Sequence, residues 1–262
     1  MTGADALRLI IVLMVQPVRG VLFDMDDTLF DHNTATARAT AALHAIEPLF
    51  RAWPEEELRR RHSEMLEIIH QDVVSGRLQI DEARRERFRR LLLQADAGHA
   101  DLERAPALAR RYREEYEQGW GAVEGACELL ETLKARGVRV GIVTNNVRAE
   151  QMLKLDRCGL AGFVDVLVTS EDAGIAKPEP AIFGKALAAL DLPAASTVMV
   201  GDVWDTDIAG ALRAGLRPVW FNWRRLPARD QAVDEIVSFT PAAEALAVIC
   251  RAHAPGAACD RV

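Results

Sequence analysis

Lysine is scarce in this chain, with four residues against 28 arginines among 262. A biased base composition produces such a preference, and it makes each lysine worth following. Excess positive charge is lacking too. With 32 basic and 39 acidic residues the net charge is −7, which excludes the basic face of a general nucleic-acid binder. Cysteine is sparse: Cys127, Cys158, Cys250 and Cys259 form no CxxC pair and no zinc spacing. They read as reduced thiols of a cytoplasmic protein. The six histidines do not cluster, and His32, nearest the motif described below, reads as a surface or turn residue. No apolar run is long. Leu7–Val15, broken by Arg8, is too short to cross a bilayer. Asp5 before it and the lack of an A-x-A site after it speak against a signal peptide. Residues 1–13 read as an extension of uncertain structure, with Met14 an alternative start, and residues 252–262 as a disordered tail.

What is present begins with a core: half of the residues are hydrophobic, enough for a substantial interior. Val21-Leu22-Phe23 reads as a buried strand. It runs into Asp24-Met25-Asp26-Asp27-Thr28, two carboxylates at i and i+2 and then a hydroxyl. In open parallel α/β sheets ligands bind at the carboxyl ends of strands. Two adjacent carboxylates repel, so one needs a cation or a proton. The strand end therefore suggests a metal site, an acid/base pair, or both.

From Thr34 to Glu117 the texture is helical. Apolar residues recur at helical spacing, as in Leu58, Met65, Leu66 and Ile69, with breaks near Pro48–Pro54, Ser75-Gly76 and Ala97-Gly98. About four helices and no strand predict a bundle. From Gly121 helix and strand alternate. Helices are expected at Ala126–Arg136, Arg148–Cys158, Pro180–Leu190 and Asp205–Ala214, and strands at Val138–Val143, Phe163–Val168, Thr197–Val200 and Pro218–Phe221. That order predicts right-handed βαβ units and an α/β, Rossmann-like parallel sheet. The expected organisation is a core over 14–32 and 119–251, interrupted by a helical cap over 33–118 that would act as a lid.

Each expected strand ends in polar residues: Thr144-Asn145-Asn146, and Gly201-Asp202 followed by Asp205 and Asp207. Between them a loop carries Lys177-Pro178. Four carboxylates, Asp24, Asp26, Asp202 and Asp207, exceed what one lysine balances, and Mg²⁺ with oxygen ligands is the natural counterion. A cation, a lysine and a threonine hydroxyl suit a phosphoryl group. One carboxylate can attack phosphorus while the other moves the proton. Singly, such aspartates are usually turn formers or caps. Asp205 is expected to cap its helix, Asp27 to cap the turn, Thr28 to order the loop, and Glu171 and Asp172 to shape the loop carrying Lys177 in preference to sitting near the metal. The tryptophans, including Trp120, Trp204, Trp220 and Trp223, read as core packing before base stacking.

With D-x-D-x-T at Asp24–Thr28, Thr144, Lys177 and G-D-x-x-x-x-D at Gly201–Asp207, all in order, the chain resembles the haloacid dehalogenase-like hydrolases over residues 20–32 and 121–225. Thr169–Pro180 and Gly210–Gly215 add to the likeness. The resemblance implies that Asp24 is the nucleophile and a Mg²⁺ ligand. It implies that Asp26 is the acid/base and lends its carbonyl to the metal. Thr144 and Asn145 would bind phosphate, Lys177 would neutralise Asp24 and phosphate, Asp202 would ligate the metal, and Asp207 would support it from behind. It further implies a phosphatase with a helical cap, acting on a small phosphorylated metabolite such as a nucleoside monophosphate or sugar phosphate. The branch it is most similar to holds pyrimidine 5′-nucleotidases and acylneuraminate 9-phosphatases. A 2-haloacid dehalogenase is disfavoured by Asp26, which family dehalogenases lack. Nothing favours a phosphomutase, and the intact motif set argues against a non-enzymatic scaffold. No nucleic-acid polymer or membrane partner is expected, and the protein is expected as a monomer or homodimer.

Overall fold

The computed structural model describes residues 17–251 apart from Ser75 and His99; the expectations for residues 1–13 and 252–262 lie outside them. The chain divides into two compact units, Met1–Phe30 with Ala122–Val262, and Asp31–Gly121.

The first unit is built on six parallel strands: β1 (Gly20–Phe23), β2 (Arg139–Thr144), β3 (Val166–Thr169), β4 (Thr197–Gly201), β5 (Arg217–Phe221) and β6 (Asp234–Ile236). Their order is β3-β2-β1-β4-β5-β6. β1 is central and every one of its residues is buried, which explains its unbroken apolar run. On one face Leu22, Val143 and Met199 pack with Ile182, Phe183 and Leu190 of the Pro180–Leu190 helix. Gly210 belongs to this contact, because a Cβ there would meet the Phe183 ring at 2.8 Å and the Cα of Pro178 at 3.0 Å. On the other face the Phe239 ring stacks on Phe221, centroids 4.2 Å apart, and meets Phe23 edge-on at 6.5 Å.

The register positions the site. Phe23 lies beside Ile142 on β2 and Val200 on β4. The chains leaving these strands, at Asp24, Thr144 and Asp202, therefore emerge at one edge of the sheet. The topology change that sends β2 to one side of β1 and β4 to the other opens the crevice there.

Helix Pro180–Leu190 has the expected bounds, and Ala126–Ala135 and Arg148–Arg157 end one residue early. Three stretches differ. The expected strand at Phe163–Val168 is a 3₁₀ turn, Ala161–Phe163, with the strand beginning only at Val166. Here the Asp165 carboxylate accepts from the Val140 N–H at 2.7 Å and from Lys134 at 2.5 Å. The expected helix Asp205–Ala214 is a π-type turn, Trp204–Ile208, before a short helix, Ala209–Arg213. β6 and the helix Ala242–Ile249 extend the unit.

The second unit is helical: His32–Ile46, Glu55–Val74, Ile80–Ala95 and Ala105–Gln118, with no strand among its described residues. Asp31 caps the first helix by accepting from the Thr34 N–H at 2.9 Å. Leu43, Phe50, Leu58, Phe88, Leu91 and Tyr112 are buried. Polar groups are buried among them. Arg87 donates to His62 at 2.9 Å, and the His62 ring stacks on Tyr112 at 4.4 Å. Burial, with the Arg87 and His32 charges nearby, holds His62 well below its ordinary value. The arginine runs pair along helix surfaces, as in Arg60 with Glu57 and Glu64.

Candidate active site

Asp24 is the first residue beyond β1, tied in place by its N–H to the Val200 carbonyl at 2.9 Å. Its carboxylate is buried and meets Lys177, whose Nζ donates to Asp24 Oδ1 at 2.5 Å and to Asp207 Oδ1 at 2.7 Å. The loop before Lys177 is clasped by Asn145: its Nδ2 donates to the Lys177 carbonyl at 2.9 Å and its Oδ1 accepts from the Lys177 N–H at 2.7 Å. This side-chain pair sutures the end of β2 to the lysine.

Asp207 reaches the site from the π-type turn. Its Oδ2 accepts from the Val203 N–H at 3.0 Å, and its own N–H donates to the Val203 carbonyl at 2.9 Å. That fold-back passes directly over Gly201, where any Cβ would collide with the Asp207 carboxyl group; only glycine permits the approach. Asp205, expected as a helix cap, points elsewhere and pairs with Arg229 at 2.7 Å, since the carboxylate that folds back on the turn is Asp207.

Asp202 completes the acidic cluster. Its carbonyl accepts from Trp220 Nε1 at 2.9 Å, and its Oδ2 accepts from Trp223 Nε1 at 3.4 Å and Arg224 at 3.2 Å. Its Oδ1 is buried with no hydrogen-bond partner. Asp24, Asp202 and Asp207 each offer a carboxylate oxygen, all within 4.8 Å of one another. Burial, with Asp207 and Asp27 adding repulsion, pushes the Asp202 carboxyl up to about 7. Burial raises Asp24 well above the ordinary carboxylate range, against the pull of Lys177 and with Asp207 and Asp202 adding to the rise. Burial works against the Lys177 charge, but Asp207 and Asp24 outweigh it and hold Lys177 above its ordinary value. Three buried carboxylates around one lysine are a net negative pocket, and a hard cation with oxygen ligands suits this donor set.

Asp26 faces a different set of donors. Lys154 pairs with Oδ1, while Gln151 Nε2 at 2.9 Å and Asn146 Nδ2 at 3.2 Å donate to Oδ2. Gln151 also donates to Thr144 Oγ1 at 3.2 Å, leaving the threonine hydrogen available for another acceptor. Direct contacts thus unite Asp24, Lys177, Asp207 and Asn145, and Gln151 joins Asp26 to Thr144. Lys154, Gln151 and Arg224 were not expected here, and Asn146 was expected only as one of the polar residues ending β2. A second lysine in the site corrects the count of one lysine against four carboxylates.

The neighbours of the motif also take defined places. Asp27 adopts a left-handed backbone, φ 60°, and accepts from Arg224 at 3.1 Å. The Thr28 hydroxyl is buried without a hydrogen-bond partner, so the Thr28 N–H, bonded to the Met25 carbonyl at 3.4 Å, is what the residue gives the turn. Glu171 and Asp172 brace the start of the 148–157 helix, accepting from the Arg148 N–H at 2.8 Å and its guanidinium at 2.7 Å.

Residues 18–215 match the haloacid dehalogenase-like hydrolase family. The chain is 34% identical over 203 residues to the ribulose-1,5-bisphosphate 5-phosphatase of Halopiger xanaduensis, covering 77% of this chain and 84% of the relative. A shorter stretch of 99 residues is 42% identical to the pyrimidine 5′-nucleotidase YjjG of Escherichia coli, 37% of this chain and 44% of that one. The HAD-hydrolase YfnB of Bacillus subtilis, solved bound to magnesium, superposes with a TM-score of 0.67 at 27% identity, covering 88% of this chain and 99% of that one. The chain therefore belongs to the haloacid dehalogenase-like hydrolases, in the phosphatase branch of that family.

Proposed function

We propose that the protein is a Mg²⁺-dependent phosphatase that hydrolyses a small phosphorylated metabolite through a phosphoaspartate on Asp24. One observation carries the reading: buried Asp24 is paired with Lys177 while Asp26 stands two residues on, held apart on its own donors. The two carboxylates therefore have separate environments, as a nucleophile and a proton carrier need.

In this reading Asp24 Oδ attacks phosphorus and the bond to the leaving oxygen breaks. Asp26 gives that oxygen a proton, so an alcohol departs. Water then attacks the phosphorus of the acyl phosphate, its proton passes to Asp26, and inorganic phosphate leaves with Asp24 restored. Lys177, the Thr144 hydroxyl and the backbone amide of Asn145 bind the phosphoryl oxygens. Mg²⁺ would be held by Asp24, Asp202 and the Asp26 carbonyl, with Asp207 behind them, and when bound supplies charge neutralisation at the phosphoryl group. The orphaned Asp202 Oδ1 and the crowding of Asp24, Asp202 and Asp207 fit that ion.

The substrate class we favour is a sugar phosphate or nucleoside monophosphate, the classes to which the two named relatives' substrates belong. The helical unit, 33–118 in the sequence reading, would serve as the cap that selects among them. Among the described residues no helix is long and apolar enough to cross a membrane. Cys127, Cys158 and Cys250 are free, which suits a cytoplasmic setting, and the reading needs no more than a monomer or homodimer.

The purified protein is expected to hydrolyse p-nitrophenyl phosphate with Mg²⁺, to stop in EDTA and recover on adding the ion, and to lose turnover as Asp24→Asn. Turnover that persists in EDTA would remove the Mg²⁺ requirement, whereas no turnover with Mg²⁺ together with halide release from a 2-haloacid would remove the phosphatase reading and restore the dehalogenase. Phosphate release from a panel of phosphorylated metabolites then identifies the substrate.

A further inference from the structure

We infer that Lys154, Gln151 and Asn146 form a clamp that positions the Asp26 carboxylate for proton transfer. Resting on the phosphatase reading, this assigns three positioning residues to the same site. Both carboxylate oxygens are engaged: Lys154 takes Oδ1, and Gln151 and Asn146 take Oδ2. All three donors come from one stretch, residues 146–154, that leaves the end of β2 and enters the Arg148–Arg157 helix. Gln151 and Lys154 stand three apart and so share a helix face.

Burial argues that this is more than surface pairing. Gln151 is fully buried and Lys154 is 2% exposed, with its ammonium 4.5 Å from the centre of the Phe30 ring. A buried ammonium is stable only where it is paired and further satisfied. The carboxylate of Asp26 and the ring supply that, and they also fix where the carboxylate lies. The same stretch is anchored to β1's own turn, since Phe30 returns to the motif through the Asp27 N–H to Phe30 O bond at 2.8 Å.

Gln151 carries the argument further. Its two amide hydrogens go to Asp26 Oδ2 and Thr144 Oγ1, while its Oε1 is buried without a donor. An orphaned buried acceptor is costly, because its desolvation is not repaid by a hydrogen bond. A glutamine held only for packing has no reason to bear that cost. Spanning the proton carrier and the phosphate-binding hydroxyl is a reason, because the distance from Asp26 to a phosphate on Thr144 is then set by one rigid amide. The predicted defect is geometric: without the clamp the nucleophile is intact but the proton is delivered from the wrong place.

Leaving groups separate this from a structural role. An alkyl phosphate needs a proton on its departing oxygen, whereas p-nitrophenolate leaves without one. Lys154→Met and Gln151→Leu are expected to lower kcat/KM for an alkyl phosphate by roughly tenfold or more beyond their effect on p-nitrophenyl phosphate, with KM little changed. Lys154→Arg should restore most of the alkyl rate. Asp26→Asn should show the same leaving-group pattern, and adding Lys154→Met to it should cost little more, because the pair acts as a unit. Circular dichroism melts check that each variant folds. Equal losses on both esters, a rise in KM with kcat unchanged, or an Arg variant as poor as Met would overturn the clamp. A wild-type protein inactive on both esters with Mg²⁺ overturns the phosphatase reading itself, and so the two failures are distinguishable.

Discussion

At the scale of single residues the site depends on close approach. Gly201 lets Asp207 fold back over the end of β4, and Asp207 in turn holds the second oxygen that Lys177 needs. Gly201→Ala is expected to displace Asp207, lowering stability by about 1–3 kcal/mol through overpacking and kcat by an order of magnitude or more as Lys177 shifts from Asp24. Thermal unfolding and steady-state kinetics on one preparation check both effects, and an unchanged kcat would show that Asp207 does not support the lysine. Asp24, Asp26, Thr144, Asn145 and Asp202 were legible as candidates because they follow apolar runs at strand ends, where polar side chains have few structural uses, while Lys177 and Asp207 stood out only through the joint motif pattern. Lys154 and Gln151 were not legible, because inside a helix they look like an ordinary solvated face. The available signal was scarcity: in a chain with four lysines, one on the helix directly after Thr144 merited the attention given to Lys177.

At the scale of elements, the helical unit carries its own titration. His62 is buried, packed between Arg87 and Tyr112, and held well below its ordinary value by burial and by the charges of Arg87 and His32. A histidine whose folded value is depressed binds its proton more readily in the unfolded chain. Its contribution is therefore intact above the unfolded value and is lost as pH falls below about 6.5, at up to about 1.4 kcal/mol per pH unit. Melts at pH 7.5 and 5.5 should show wild type losing more stability on acidification than His62→Phe, which keeps the stacking and removes the proton site. Equal losses would place the acid sensitivity elsewhere. Where the elements departed from expectation, side chains had competed with backbone. The Asp165 carboxylate takes a β2 N–H beside the start of β3, and Asp207 folds back on Val203 within the π-type turn. β6 was not anticipated because Asp234-Glu235-Ile236 holds no apolar run.

At the scale of the whole molecule, the parallel sheet was readable from alternation alone, since strands separated by helices permit little else. What alternation does not carry is strand order, and order makes the site. Placing β1 between β2 and β4 brings Asp24, Thr144 and Asp202 to one edge, and Lys177 arrives because Asn145 clasps its backbone. In the proposed mechanism Asp24 becomes covalently phosphorylated, and acid-quenched turnover captures that species. The protein is mixed with Mg²⁺ and substrate, stopped in acid during turnover, digested, and its peptides weighed. A phosphoryl group is expected on the peptide containing Asp24, released by hydroxylamine, absent without Mg²⁺ and absent in Asp24→Asn. A turning-over enzyme whose Asp24 peptide stays unmodified, or whose phosphoryl group sits on another residue, would contradict the mechanism.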